Sequence, residues 1–467
     1  MKRYLYILLS IVICHTSAAQ DVQRLAEREI IGTARYVGMG GAMTAIGGDP
    51  TAAIDNPAGL GLYRRSEIAM TIDYSIDRTQ QFGCIDSYQR ERFVMPSIAG
   101  IMSWGSPNKL RGMIFNNLMF SYNRLSSFNR DIVARGKQLG MVQTICNITD
   151  GLPEASFDQD YVWDDTEIAW LSILGYDAYL INPTTNDQWI PVDDFTEGTM
   201  SISESGSYDQ YTFSWASNIN NQWYVGLSLN IPTLSYTKNV SVLETNRINS
   251  AELKSMYYVS GLGVNGSIGL IYRPIKSMRI GASFHTPTVL NLSVQTEGDM
   301  YSTVNNQKYE TLTPSSGTMT AEMVSPLRTS FSVAGQLGNY GLLALQYDYA
   351  HSAYMEDVHT LRLGAEAQVC RGLFFNAGYV YESSFLNEDP VWMLAYNEIR
   401  TDMDYRYTEN TQYASLGLGY RGDMLVAQVA YQYGWQTLHQ YASEMQMTPM
   451  QLATHTHRLV ATLAWRF

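Results

Sequence analysis

A chain of 467 residues, 45% of them hydrophobic and 16% charged, can build a large folded body, and 33 Tyr beside 36 Gly set its composition apart. The net charge of −13 excludes electrostatic affinity for nucleic acid. Beyond residue 20 no stretch approaches the roughly 18 to 20 consecutive apolar residues of a spanning helix, which excludes a helical membrane protein.

Residues 1–19 read as a secretory signal peptide: Lys2 and Arg3 precede an apolar run from Leu5 to Cys14, and small Ser17 and Ala19 fit cleavage before Gln20. Bulky Val12 and Ile13 argue against lipidation at Cys14. The remaining Cys84, Cys146 and Cys370 are odd in number and form no CxxC, so they read as isolated small residues.

Residues 20–66 show no alternation. They carry Gly38-Met39-Gly40-Gly41-Ala42, then Gly47-Gly48-Asp49-Pro50, then Asn56-Pro57-Ala58-Gly59-Leu60. A dinucleotide loop fails, because Met43 stands where the last glycine of GxGxxG belongs and no Gly-Lys-Ser/Thr follows. Pro57 fixes φ and Gly59 permits an unusual turn, so Asn56, Pro57, Ala58 and Gly59 either steer the chain into the first strand or mark a switch point.

From Glu67 onward, period-two segments alternate with turn signals, the pattern of half-exposed strands. Trp223, Val225, Leu227, Leu229 and Ile231 share one face; Tyr224, Gly226, Ser228 and Asn230 share the other. About fourteen such strands, with short and long links in strict alternation, predict a transmembrane antiparallel β-barrel over 67–467. Their centres lie near Met70, Gly100, Asn117, Phe213, Leu227, Val264, Ile280, Phe331, Leu345, Leu363, Ala377, Leu416, Val429 and Leu463. Long polar segments at 123–207, 237–256, 297–320, 383–410 and 435–454 read as outside loops. The last strand ends on Trp465 and Phe467, which resembles the signal read by the barrel-insertion machinery.

Alternation places Arg279, Arg328, Arg362, Asp348 and Glu366 in the lumen. An arginine there can receive a carboxylate headgroup bidentately, or the charges can form an ion-pair network gripping the N-terminal segment. The acids from Asp158 to Asp194, interleaved with Tyr161, Trp163, Trp170, Tyr176 and Tyr179, read as a solvated loop, with calcium or a hydrophobic capture groove as alternatives. His455 and His457 share a face at the outer end of the last strand, where haem iron or a metal could bind, but no supporting ligand pattern accompanies them. No cofactor is expected. Without GxSxG, HExxH or a compact Ser/His/Asp grouping, catalysis has no support.

The spacing of GMGGA, Asp49, Ala53 and NPAGL resembles the plug of the FadL family of outer-membrane long-chain fatty-acid transporters. Gly261-Leu262-Gly263-Val264-Asn265, Tyr272-Arg273-Pro274 and Met278 to Phe284 resemble that family's central strand pair. The resemblance implies a fourteen-stranded outer-membrane barrel, with residues 20–66 as an internal plug and Asn56, Pro57 and Ala58 near the ligand's path. It also implies passive uptake of a hydrophobic, fatty acid-like molecule with lateral release through the wall into the surrounding lipids. Other members handle aromatic hydrocarbons, are labelled haem receptors, or resemble the non-transporting PorV scaffold of a secretion system. A transporter predicts a continuous apolar pocket between plug and wall and a gap or kink in one strand; a scaffold predicts a sealed wall.

Overall fold

The computed structural model describes residues 28–106, 112–314, 317–338, 340–352, 355–384 and 399–467; the expected signal peptide and cleavage site lie outside them. Nineteen hydrogen-bonded segments make fourteen antiparallel wall strands, because four strands are interrupted. These are β1 Glu67–Gln81, β2 Ser87–Gly105, β3 Met113–Ser127 continued by Arg130–Gly136, β4 Glu197–Ile219, β5 Trp223–Thr245 and β6 Ser250–Ile275. Next come β7, Met278–His285 with Val289–Val304, and β8, Gln307–Leu312 with Gly317–Val324 and Leu327–Leu337. The wall is completed by β9 Gly341–Ser352, β10 Met355–Cys370, β11 Leu373–Glu382, β12 Tyr405–Thr408 with Thr411–Arg421, β13 Leu425–Tyr441 and β14 Met450–Arg466. The ring closes where β1 pairs with β14, from Glu67 opposite Arg466 to Gln81 opposite Leu452. All fourteen expected centres fall in successive strands.

The alternation has a sense opposite to that of a water-soluble sheet. On β5 the apolar face is the exposed one, with Leu227 53% and Leu229 51% accessible, while Tyr224, Gly226, Ser228 and Asn230 are buried. On β14, Leu459, Leu463, Trp465 and Phe467 likewise point outward. A continuous apolar exterior around a polar, filled interior is stable only in hydrocarbon, so the chain is a membrane-spanning barrel.

The strands run further than expected. β4, β5 and β6 have 23, 23 and 26 residues, against the roughly 9 to 11 that cross a bilayer. The expected loop 237–256 shrinks to a turn at 246–249, and 123–207 begins and ends as paired strand. Thr199, Ser201 and Ser203 resemble loop composition, yet the intervening Met200 and Ile202 are buried beneath a cap. That cap is built from α-helices Met141–Thr149 and Trp170–Asp177 and a small hairpin, which pack Ile145, Leu174, Leu180 and Trp189 onto Met200, Val240, Val242 and Leu253. Its acid-rich aromatic stretch folds on itself: Trp163 meets Trp170 at 5.7 Å and Phe157 stacks on Tyr176 at 4.8 Å. Burial pushes the Cys146 thiol within this cap up to about 12, so it is inert.

Candidate functional site

Residues 28–66 lie inside the barrel. Thr33 caps α1 (Ala34–Gly38) by accepting from the Tyr36 amide at 3.2 Å. The Thr33 hydroxyl also donates to buried Asp49 at 2.7 Å, and Asp49 accepts the Thr51 amide at 2.9 Å ahead of α2 (Ala52–Asp55). A small acid between Gly48 and Pro50 is therefore the hub of this segment.

Asn56 is fully buried and heads a 3₁₀ turn, Pro57–Leu62. Its Oδ1 accepts from the Ala58 amide at 3.0 Å and its Nδ2 donates to the Thr44 carbonyl at 2.8 Å. The wall makes room with glycine. A Cβ on Gly269 of β6 would lie 1.9 Å from Asn56 Oδ1, and one on its partner Gly226 of β5 would lie 2.4 Å from the Pro57 carbonyl carbon. Across the lumen, a Cβ on Gly378 of β11 would lie 2.1 Å from the Gly40 nitrogen. Backbone meets backbone on both sides, so these glycines and the N-terminal motifs are one packing solution.

Ion pairs supply the remaining grip. Arg35 Nε lies 2.7 Å from Glu366 on β10, which also pairs with Arg421. Arg362 binds Asp348 at 2.7 Å and reaches Tyr36 at 2.9 Å. Arg279 donates to the Ile46 carbonyl at 2.9 Å. Of the three arginines expected to take ligand, Arg279 and Arg362 are thus engaged with the N-terminal segment. Arg328 lines a cavity of about 50 Å³ with Arg28, Glu29, His285 and Leu125, and a second cavity of about 80 Å³ also touches Arg28 and Glu29. These two spaces are small and charged, whereas a third of about 190 Å³ lies between Ile46 and the wall residues Ala334, Leu342 and Phe374. The apolar lumen surface lies beside the first two, in Leu125, Phe128, Tyr208, Leu234, Val259, Leu290 and Leu292.

The wall is interrupted next to this point. β2 pairs with β3 only from Ser97 opposite Asn123 to Gly105 opposite Phe115, whereas Ser87 to Val94 pair with β1 alone among the described residues. Pro96 has no N–H to donate and sits in a bulge, where Met95 and Pro96 oppose the single residue Ile72. Beyond it β3 turns toward β4, and only side chains such as Arg90 and Asp131, 2.6 Å apart, span the gap. Glu29 sits behind it. Its amide donates to the Leu125 carbonyl at 3.2 Å and its carboxylate accepts the Ser127 amide at 3.0 Å, both on β3. The same carboxylate pairs with Arg458 of β14, with Arg92 of β2 at 3.7 Å. The gap was not visible in the sequence beyond Pro96 itself.

His455 and His457 do share a face, but it is the outer wall, and each Nδ1 is 2.7 Å from a tyrosine hydroxyl, Tyr433 and Tyr431 respectively. No group of three His, Cys, Asp or Glu suited to a metal occurs among the described residues. An open groove of about 920 Å³ runs along the cap's flank, lined by Phe82, Lys137, Asp193, Met445 and Met447.

No protein-family model matches this sequence, and no curated protein does. Solved structures do match. CymD, a monoaromatic hydrocarbon channel, aligns over 94% of this chain and 99% of its own, with TM-score 0.54 and 14% identity. A Pseudomonas aeruginosa FadL homologue aligns over the same shares at 0.53 and 11%, and the Ralstonia pickettii toluene transporter TbuX at 0.51 and 13%. At such identities the finding is a shared fold, and the resemblance read from GMGGA and NPAGL is matched at that level.

Proposed function

We propose that this barrel is a passive outer-membrane channel for hydrophobic small molecules, stoppered by its N-terminal segment and releasing ligand sideways between β2 and β3. The observation that carries the reading is the unpaired stretch of β2 with Glu29 lodged behind it. A ladder left open in lipid strands backbone donors and acceptors at a cost of several kcal/mol each, so its persistence implies a use.

The ligand we favour is a long-chain carboxylic acid. Two of the proteins named above, CymD and TbuX, are described as a monoaromatic hydrocarbon channel and a toluene transporter, yet an uncharged ring has no use for a cavity ringed by Arg28, Arg328 and His285. A carboxylate does, with its tail along Leu125 and its apolar neighbours. Arg328 is the residue assigned to the headgroup; Arg279 and Arg362 hold the segment that includes Asn56, Pro57, Ala58 and Gly59, which forms the gate.

Uptake of radiolabelled oleate and of toluene by cells carrying wild type or Arg328→Gln tests this. Oleate uptake falls about tenfold, the worth of one charge-assisted hydrogen bond, while toluene uptake is low in both. Equal oleate uptake overturns the headgroup assignment, and no uptake above empty cells overturns the channel. The scaffold reading draws on the cap's packed core and exposed Tyr161, 77% accessible; capture of a secreted protein without oleate uptake would favour it.

A further inference from the structure

We propose that the outer wall of β1, β13 and β14 carries a binding site for the phosphate of an outer-leaflet glycolipid of lipid A chemistry, formed by Arg78, His455 and His457. Arg78 stands opposite His455 across the β1–β14 ladder, and Ile76 stands opposite His457 one rung lower. Both rungs face lipid, because Tyr74 and Leu459 just below them are exposed on the same side while Asp73, Ser75 and Arg458 are buried in the lumen. From Phe467 at the chain's last, lower rung to His457 is ten residues, about 25 Å at roughly 3.3 Å per residue and a tilt of about 40°. That is the height of the hydrocarbon band, so the histidines lie where headgroups begin.

The rings are held rather than loose. Tyr431 and Tyr433 hydroxyls meet His457 and His455 at Nδ1, each at 2.7 Å, and the Tyr433 and His455 planes lie within 10° of parallel. When the tyrosine donates, the proton of the neutral ring resides on Nε2; when the ring is cationic, Nε2 is again protonated. A phosphate selects these two states, and both present an N–H away from the tyrosine. Arg78 adds a full positive charge, which its contacts to the Ser87 hydroxyl at 3.0 and 3.1 Å leave in place. The nearby carboxylate on β2, Glu91, stands opposite Ile76 rather than Arg78 and accepts from the Tyr74 hydroxyl at 2.7 Å and Gln89 at 3.2 Å. A contrast exists on β9 and β10, where Tyr347 holds His359 at 2.6 Å but Asp357 takes both His351 and Tyr349. There a carboxylate occupies the centre, and phosphate is not expected.

The test is native mass spectrometry of the delipidated, detergent-held barrel titrated with bis-phosphorylated lipid A, its dephosphorylated form, and inorganic phosphate. Wild type binds the phosphorylated lipid about tenfold more tightly than the dephosphorylated one. Arg78→Gln/His455→Gln/His457→Gln abolishes the difference and His351→Gln/His359→Gln keeps it. Tyr431→Phe/Tyr433→Phe, which leaves the rings but frees their Nδ1 atoms, gives an intermediate ratio. Should the triple variant lose heat-modifiable mobility, Arg78→Gln alone decides with the same lipid pair. Equal binding of the two lipids by wild type, an unchanged triple or single variant, or displacement of lipid by equimolar inorganic phosphate overturns the proposal.

Discussion

Two of the regions where proline interrupts this wall have different results. In β7 and β8, Pro287 and Pro326 break both strands at one level, yet the Thr288 amide donates to the Ser325 hydroxyl and the Ser325 amide to the Thr288 carbonyl, each at 2.9 Å, so the wall stays stitched. In β2, Pro96 marks the point where the neighbouring strand leaves, and no ladder resumes above it among the described residues. A missing donor kinks a sheet; departure of the partner opens it. Among the described residues only the open region has a residue of the N-terminal segment bound to both sides, which is why Glu29 rather than any of these prolines is read as the closure.

The strongest way to break this comparison is to dislodge the segment from its fixed side. Gly269→Val forces a side chain into Asn56 and costs about 3 kcal/mol or more; urea unfolding in micelles and loss of heat-modifiable mobility read it. An unchanged midpoint would mean that the glycine contacts are slack. Next, Glu29→Gln removes the charge shared by Arg458 and Arg92 at the open side. Discounted for its part exposure, the loss is about 2 kcal/mol, with faster uptake and greater sensitivity to hydrophobic antibiotics. Pro326→Val sharpens the contrast from the stitched side: stability shifts by about 1 kcal/mol or less and uptake is unchanged, whereas Pro96→Val, which returns a donor beside the gap, slows uptake. Ser325→Ala is the smallest effect, about 1 kcal/mol for one hydrogen bond, again without change in uptake.

The wall was legible because hydrocarbon on one side and a filled lumen on the other impose period two on every strand, as Leu361, Leu363 and their partners Arg362 and Glu366 show. The strand ends were not, because Thr199, Ser201 and Ser203 have loop composition and only the cap above Met200 and Ile202 makes them strand. The lumen charges Asp348, Arg362 and Glu366 were readable by alternation, and their role as a grip on the N-terminal segment follows from pairing over more than 300 residues of sequence. The gap is illegible in the sequence for a related reason. Pro96 is a local signal, but the loss of pairing depends on where β3 goes, which no local pattern records. The tyrosine clamps on His455 and His457 are diagonal cross-strand contacts and needed the register.

The account's central claim is passage between β2 and β3. Its most direct test replaces Cys84, Cys146 and Cys370 with Ser, introduces Arg90→Cys and Asp131→Cys, and joins the pair with a short reducible bis-maleimide while oleate uptake is followed in cells. The account predicts that uptake falls to the level of empty cells on cross-linking and returns on reduction. Uptake that continues undiminished through a fully cross-linked barrel would contradict it.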